Sequence, residues 1–369
     1  MKNSPPLVGL AALAALCLSG VSLAGAAPEA RPAAAQQGTL DTVAFPSSGH
    51  GWLGGAHTIL ATSNGGKTWT RQYAGSTTVR QFSFISDSAG WAMGRGQLLH
   101  TSNGGRTWTV AGKPPHALQQ IAFVTPSQGW AIAGDSPNSR VLYRTTDGGR
   151  SWTQRSLFVS VGAICFSDPA HGWAARGFST GQTKAALLTT GNGGATWRSV
   201  AVPPGVGGAE GFEGQALACP TPGTVWDQVT FSGYAGGVGY ALYRSGDDGG
   251  HWQAVAQGMA PGNIGAARGP GTAPGALAAP SAQAAYLAGT CFACQGQGTT
   301  SVGETLDGGK SWRNRVLPGL PTASTALSFP TAHEGWLVAY WQTGASQQQQ
   351  SAVFKTTDGG ATWQRQPTP

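Results

Sequence analysis

Three acidic residues, Glu210, Glu213 and Asp227, lie close together in a chain in which only 10% of the residues are charged. Two carboxylates that face one cleft could supply the acid and the base, or the acid and the nucleophile, of glycosidic-bond hydrolysis. Surface carboxylates in contact with solvent are the simpler interpretation of all three. The sequence also has no His-Glu-x-x-His zinc motif and no glycine-rich phosphate loop. We therefore predict no catalytic residue, no metal ligand and no cofactor.

An eight-residue motif of the form Ser/Thr-x-Asp/Asn-x-Gly-x-x-Trp recurs seven times. Its third residue could bind calcium or act as a catalytic acid, but asparagine replaces aspartate in three copies, which argues against both roles. Such a side chain can instead fix a tight turn by bonding to nearby backbone N–H groups, and glycine permits positive φ. The tryptophan then begins the next strand as an apolar anchor. The motif predicts seven structural corners, at Asn64 and Trp69, Asn103 and Trp108, Asp147 and Trp152, Asn192 and Trp197, Asp247 and Trp252, Asp307 and Trp312, and Asp358 and Trp363.

A second element precedes each motif, because an apolar residue lies seven positions before an aromatic residue in every repeat. Glycine usually sits just before the aromatic residue, so the segment predicts a strand, a tight turn and a strand. Each repeat then contains four short antiparallel strands, A to D. We therefore predict an all-β fold, a seven-bladed β-propeller with the motif in the C–D turn of each blade. The pairs are Phe45/Trp52, Phe84/Trp91, Phe123/Trp130, Phe166/Trp173, Cys219/Trp226, Ala279/Tyr286 and Phe329/Trp336.

Residues 1–26 have the pattern of a signal peptide, since Lys2 precedes an apolar stretch that ends in a small-residue cleavage site. We predict a linker at residues 27–38 and the propeller at residues 39–369. The protein is therefore expected to be exported, to be secreted, periplasmic or envelope-associated, and to lack a transmembrane span after signal removal. The net charge of +7 comes without a cluster of Lys and Arg, so no nucleic-acid partner is predicted.

The B–C spacing doubles along the chain, from ten residues between Trp52 and Thr62 to twenty between Trp336 and Thr356. Alternating strand directions place the B–C and D–A loops on one face, whereas the other turns keep a constant length. Loops of this kind either form a binding site or are solvated insertions without a partner. The aromatic and charged residues in the longer loops are the candidate partner-binding residues: Glu210, Phe212, Glu213, Tyr234, Arg268 and Trp341.

Four cysteines remain after Cys17 is removed with the signal peptide, and an even number in an exported chain suggests disulfides. Cys291 and Cys294 lie in the blade-six loop and could close a small ring. Cys165 and Cys219 fall on the A strands of neighbouring blades, one register position apart, and could bridge them. A zinc site would need two more clustered ligands, and no histidine lies near Cys291 in the sequence.

The eight-residue motif, of which Thr145 to Trp152 is a clean copy, resembles the Asp box or bacterial neuraminidase repeat. Together with the Gly-Trp strand it looks most like the photosystem II stability and assembly factor propellers and their non-photosynthetic bacterial relatives. The resemblance covers residues 39–369 and extends more distantly to sortilin-type and xyloglucanase propellers. It implies a non-enzymatic role, although the arginines of the assembly-factor binding patch cannot be mapped onto this sequence. Sialidases share the box, but their Arg-Ile-Pro motif is missing here.

The function predicted from the sequence is that of an exported, non-catalytic propeller, similar to an assembly factor, which acts as a monomer. Its partner would be a protein or a cell-envelope glycan, bound through the loop-rich face. The alternative is a glycoside hydrolase of the sialidase or xyloglucanase type.

Cys291 and Cys294 are expected to be joined to each other in the mature protein, because their spacing permits a local ring and export supplies oxidising conditions. Mass spectrometry of alkylated protein, digested without reductant, should detect the closed pair within one peptide. The same digest after reduction and alkylation provides the control. Free thiols at both positions would contradict the pairing.

Overall fold

A computed structural model describes most of the region from residue 39 onward, and the predicted signal peptide and linker at residues 1–38 lie outside it. Seven sheets occur in this part of the chain, and in each the antiparallel strands are paired in chain order. The predicted all-β, seven-bladed propeller with four antiparallel strands per blade is therefore confirmed. The described residues are 39–94, 96–155, 157, 160–177, 185–203, 212–232, 238–258, 266–291, 298–343 and 348–367.

The first four blades each contain four strands of three to six residues, and a single 3-10 turn (Pro137–Ser139) lies in the third. Their strands are β1 (Leu40–Ala44), β2 (Gly51–Gly55), β3 (Thr58–Thr62), β4 (Thr70–Ala74), β5 (Val79–Phe84), β6 (Gly90–Gly94), β7 (Gln97–Thr101), β8 (Thr109–Gly112), β9 (Leu118–Phe123), β10 (Gly129–Ala133), β11 (Val141–Thr145), β12 (Thr153–Arg155), β13 (Val161–Phe166), β14 (Gly172–Arg176), β15 (Leu187–Thr190) and β16 (Arg198–Val200).

The last three blades contain longer inner strands, and the fifth blade gains a two-residue strand that is parallel to its strand D. Their strands are β17 (Phe212–Thr221), β18 (Thr224–Ser232), β19 (Val238–Ser245), β20 (Gln253–Gly258), β21 (Ala267–Arg268), β22 (Ala273–Ala278), β23 (Ala285–Cys291), β24 (Thr299–Thr305), β25 (Arg313–Val316), β26 (Ser324–Ser328), β27 (Gly335–Thr343), β28 (Gln348–Thr356) and β29 (Gln364–Gln366).

Aromatic stacks join neighbouring blades and form the centre of the hydrophobic core. The strand-B aromatic residue of one blade lies flat on the strand-A phenylalanine of the next, so each ring removes apolar surface of both blades from water. That phenylalanine also meets the motif tryptophan of its own blade edge-on, as Phe45 meets Trp69 at 6.0 Å and 88°. Five interfaces contain this stack, with ring centroids 3.5–3.8 Å apart: Trp52–Phe84, Trp91–Phe123, Trp130–Phe166, Tyr286–Phe329 and Trp336–Phe45.

The last of these stacks closes the ring, since it packs blade seven directly against blade one. Hydrogen bonds reinforce this closure: the Phe45 N–H donates to Ser328 Oγ (2.8 Å) and the Leu40 N–H donates to Ser351 Oγ (3.3 Å). Blades one and seven each form their four strands from their own consecutive residues. The described part of the ring is therefore closed by side-chain packing, in the way that the other blades pack together.

A disulfide between Cys165 and Cys219 joins blades four and five, where the stacking phenylalanine is missing. Cys165 occupies the position that is Ser83 in blade two, and Ser83 Oγ accepts a hydrogen bond from the backbone N–H of Phe123 in the next blade. Cys219 occupies the phenylalanine position. The one-register offset in the sequence therefore brings the two sulfur atoms together, and the bridge between neighbouring A strands forms as the sequence suggested.

The C–D turn of each blade is hydrogen-bonded to the A–B turn of the same blade, which shows that both lie on one face. The Gly65 N–H donates to the Gly49 carbonyl oxygen (2.8 Å), and the Gly148 N–H donates to the Ser127 carbonyl oxygen (2.8 Å). We call this surface the turn face. Because the strands alternate in direction, the B–C and D–A connections lie on the opposite surface, which we call the hairpin face.

Replacing both Cys165 and Cys219 by alanine should lower the free energy of unfolding by about 4 kcal/mol, because the bridge closes a chain segment with a sequence separation of 54 residues. Denaturant unfolding of the oxidised proteins measures this loss. Reductant should then change the unfolding of the double variant less than that of the wild type. A loss below about 1 kcal/mol would show that packing alone holds blades four and five together.

Candidate functional site

Four of the seven turn motifs carry an aspartate, and each of these side chains accepts hydrogen bonds from its own turn. Asp147 Oδ1 accepts hydrogen bonds from Thr145 Oγ1 (2.8 Å) and from the Ser151 N–H (2.9 Å). The Ser151 hydroxyl and N–H are the main reason why the pKa of Asp147 is lowered to about 2. Gly149 has φ of 92° and donates its N–H to Thr145 Oγ1. These bonds fix the corner geometry and keep the carboxylate ionised.

Asparagine forms the same turn without a charge. Asn103 Oδ1 accepts hydrogen bonds from the Thr101 hydroxyl (3.1 Å) and the Thr107 N–H (3.0 Å), and its amide donates to Thr107 Oγ1 (2.9 Å). The corner therefore needs a side-chain acceptor at this position, not a charge. This explains physically why either Asn or Asp can occupy this position of the motif.

Two of the candidate binding residues, Glu210 and Tyr234, lie outside the described residues. Phe212 begins β17 and is only 2% exposed, packed in blade five with Val229 and Phe231. The expectation that Phe212 is an exposed aromatic anchor is therefore wrong. The reason is that strand A of this blade starts earlier than the sequence pattern indicated, which turns Phe212 into a core residue.

Asp227 is also not the surface carboxylate that the sequence suggested. It lies on β18 and is fully buried, and its Oδ2 accepts a hydrogen bond from Gln215 Nε2 (2.8 Å). Burial raises the pKa of Asp227 to about 7, and the bond from Gln215 opposes the rise. Glu213, by contrast, is exposed on β17. The two acids therefore lie in different environments.

The lengthened B–C segments of blades five and seven are β-hairpin extensions. The β18–β19 pair continues to Ser232 and Val238, and the β27–β28 pair continues to Thr343 and Gln348. The sequence analysis treated these segments as loops, but strand pairing satisfies the backbone N–H and C=O groups of the added residues. Trp341 thus lies on a paired strand, where neighbouring strands fix its position.

A cleft of about 720 Å³ opens on the hairpin face, between blades five, six and seven. Trp341, a candidate from the sequence, lies in its wall and is half-buried. All of the lining side chains among the described residues are uncharged, and eight of them carry a neutral hydroxyl or amide group. The lining residues are Gln228, Val238, Ala273, Pro274, Gly275, Ala276, Thr290, Thr322, Ala323, Ser324, Thr325, Tyr340, Trp341, Gln342 and Gln349.

Small side chains on the A strand of blade six leave room for this cleft. The strand β22 reads Ala-Pro-Gly-Ala-Leu-Ala, and Ala279 follows it where most blades have phenylalanine. The pairing of β22 with β23 is irregular between Pro274 and Leu277. The strand is held to blade seven by the Ala276 N–H, which donates to Thr325 Oγ1 (3.2 Å).

Gln228 projects into the cleft from β18 and was not recognised in the sequence. It is 3% exposed, and its Nε2 donates to the Gly275 carbonyl oxygen (3.3 Å). Its Oε1 is buried and has no hydrogen-bond partner among the described residues. The sequence signal that could have indicated this orientation is its spacing, because residues two apart on a strand point to the same face and Gln228 follows the framework residue Trp226 by two positions. An acceptor left in this state costs free energy unless a ligand or solvent donates to it.

Arg268 lies apart from the cleft. It is exposed on β21 and lines a smaller cavity of about 300 Å³ with Gln257 and Thr272. Its backbone carbonyl oxygen accepts a hydrogen bond from Asn314 Nδ2 (2.9 Å). The structure thus places Trp341 and Arg268 in two different cavities.

A cavity of about 420 Å³ lies on the turn face, between blades one and two. His50 Nδ1 lies 2.9 Å from Asp87 Oδ2 across this interface, and Arg106 lies at the rim. Within the described part of the chain, no group of three or more His, Cys, Asp or Glu side chains is placed to hold a metal ion. No helix formed by the described residues is long and apolar enough to cross a membrane.

The fold and the cleft define a seven-bladed propeller with a neutral ligand-sized site on one face. The family model described as photosynthesis system II assembly factor YCF48 matches residues 32–115. Comparison of structures extends this likeness over most of the chain. A YCF48 bound to a D1 peptide is 19% identical, with a TM-score of 0.55, over 90% of this chain and 94% of the other. The predicted resemblance to assembly-factor propellers is thereby confirmed.

Two further structures show the same architecture. YCF48 from Cyanidioschyzon merolae is 18% identical with a TM-score of 0.54, over 82% of this chain and 93% of the other. An ancestral GH74 enzyme is 12% identical with a TM-score of 0.52, over 87% of this chain and 44% of its own. No curated protein matches the chain in sequence. At these identities the structural likeness establishes the fold.

Asp227→Asn should stabilise the protein above neutral pH. The pKa of Asp227 rises from 3.8 to about 7 on folding. The protonated carboxyl therefore makes its full contribution to the free energy of unfolding below about pH 4, and this contribution is lost as the pH rises through 7. Asparagine avoids the buried charge and keeps an acceptor for Gln215. The variant should therefore gain at most roughly 4 kcal/mol over the wild type at pH 8, and little at pH 4.

Denaturant unfolding across this pH range measures the difference between the two proteins. Glu213→Gln, an exposed site on the neighbouring strand, is the matched control and should reproduce the wild-type profile. Parallel pH profiles of the wild type and Asp227→Asn would contradict the buried-carboxyl assignment.

Proposed function

We propose that this protein is an exported, non-catalytic propeller that serves as a binding scaffold for a protein or a cell-envelope glycan. The observation that carries the proposal is the uncharged cleft on the hairpin face, with Trp341 in its wall and the buried amide of Gln228 pointing into it. A concave site with a few fixed polar groups among apolar ones is typical of ligand binding. One chain supplies the whole lining, so a monomer suffices.

The same lining favours binding over hydrolysis. A glycosidase needs two carboxyl groups that flank the scissile bond, and the described residues of the lining have none. Asp227 precedes Gln228 on β18, but successive side chains of a strand point to opposite sides of the sheet. Gln228 lines the cleft, and Asp227 therefore points to the other face of the blade-five sheet, where it is fully buried.

Likeness to assembly factors supports a protein partner, because the similar YCF48 structure holds a D1 peptide. Export is supported by the signal-peptide pattern of residues 1–26 and by the Cys165–Cys219 disulfide, since such bonds persist in oxidising compartments. The second candidate function is glycoside hydrolysis, which the likeness in fold to a GH74 enzyme keeps open. An acid pair outside the cleft would have to carry it.

Purified mature protein is expected to retain material from its native envelope and to lose it when Trp341 is changed to alanine. Arg106→Ala, on the turn face, is the control and should bind as the wild type does. Retention is measured on immobilised protein, with melting curves to show that each variant is folded. Equal retention by the wild type and by Trp341→Ala would place the site elsewhere.

The same preparations should give no turnover of sialosides, xyloglucan or other plant β-glucans. Asp227→Asn and Glu213→Gln are the informative variants, because these are the described acids that the sequence singled out. Turnover that disappears in either variant would establish the hydrolase alternative.

A further inference from the structure

We propose that the cleft on the hairpin face binds a neutral oligosaccharide, with a sugar hydroxyl donating to Gln228 Oε1 and a sugar ring lying against Trp341. This inference rests on the proposed binding function and names the ligand class of the same site.

The first argument is the state of Gln228. Its amide nitrogen is held by the Gly275 carbonyl oxygen, which fixes the orientation of the group in the wall of the cleft that the residue lines. This oxygen has no donor among the described residues, and the side chain is 3% exposed. A hydroxyl group of a ligand would satisfy the acceptor and remove its desolvation penalty.

The second argument is the chemistry of the remaining lining. Hydroxyl and amide groups can both donate and accept hydrogen bonds, as the hydroxyls of a neutral sugar can. A charged ligand would lose its hydration here without gaining an ion pair from the described lining residues, which is costly. The neutral hydrogen-bonding side chains come from three blades: Gln228, Thr290, Thr322, Ser324, Thr325, Tyr340, Gln342 and Gln349.

The third argument is the aromatic wall. Trp341 is half-buried and packs against the apolar cluster that contains Ala352 and Phe354, which limits its rotation. A fixed indole provides a broad apolar surface with little entropy to lose on binding. The carbon-bound hydrogens of a pyranose ring form a matching apolar face.

A peptide fits this site less well. Peptides often bind by adding a strand to an open sheet edge. In β22, which lines the cleft, the Gly275 carbonyl oxygen already accepts a hydrogen bond from Gln228 and the Ala276 N–H already donates to Thr325. Open backbone groups remain at residues 341–343 of β27, which pair only with β28. A peptide could therefore gain strand pairing only along that short edge.

The test measures binding of cellohexaose, laminarihexaose, maltohexaose and chitohexaose to the mature protein by calorimetry, beside a capped, uncharged Ser/Thr/Ala/Gly peptide. At least one saccharide should bind, and Gln228→Leu and Trp341→Ala should each weaken it by about tenfold or more. Trp341→Phe retains an aromatic ring and should lose less. Gln364→Leu, at an exposed position of β29, is the matched control and should bind normally.

Envelope material extends the test to saccharides outside this set. Digestion of the material with a mixture of glycoside hydrolases should abolish its Trp341-dependent retention, whereas protease treatment should not. The proposal is overturned if retention survives the glycoside hydrolases and is lost with protease, if only the peptide binds, or if neither Gln228→Leu nor Trp341→Ala weakens saccharide binding. Retention that needs Trp341 but is sensitive to protease would leave the proposed scaffold function intact. No retention at all would contradict both the scaffold function and the saccharide proposal.

Discussion

The flat stack between a strand-B aromatic ring and the phenylalanine of the following blade is the contact that the propeller depends on. A four-stranded blade has two faces to bury, and neither can be covered by the blade itself. The stack covers both at once, since Trp91 of blade two lies 3.7 Å from Phe123 of blade three while its own blade receives Trp52. Repetition of this contact around the ring also allows Trp336 and Phe45 to close it without strand exchange.

The departures from this pattern occur together, in blades four to six. At Cys219 the phenylalanine is replaced by one half of a disulfide, which holds the interface covalently. At Ala279 it is replaced by a small residue, and the neighbouring strand β22 is built from small residues as well. Arg244 lies over Trp226 at this interface, 5.6 Å from the ring centroid, and donates to the Ala282 carbonyl oxygen.

Longer strands then build the cleft walls on this irregular part of the ring. The extended hairpin β27–β28 carries Trp341 above the small residues of β22, and β18 brings the buried amide of Gln228 to the opposite side. Because these positions lie on paired strands, their geometry is set by backbone hydrogen bonds. A binding site on this propeller therefore results from a strand of small residues in blade six and from lengthened strands in blades five and seven.

The sequence by itself determined the number of blades, the four-strand plan and the corner motif, because each follows from a local spacing that repeats in register. It placed Cys165 and Cys219 on neighbouring A strands, but only the structure shows that they pair. It also singled out Trp341, the one tryptophan outside that spacing. Only the tertiary structure decided that Phe212 and Asp227 are buried and that Gln228 and Trp341 line the same cleft. Burial and cleft lining depend on where each strand starts and on which blades face each other, and neither is a property of neighbours in the chain.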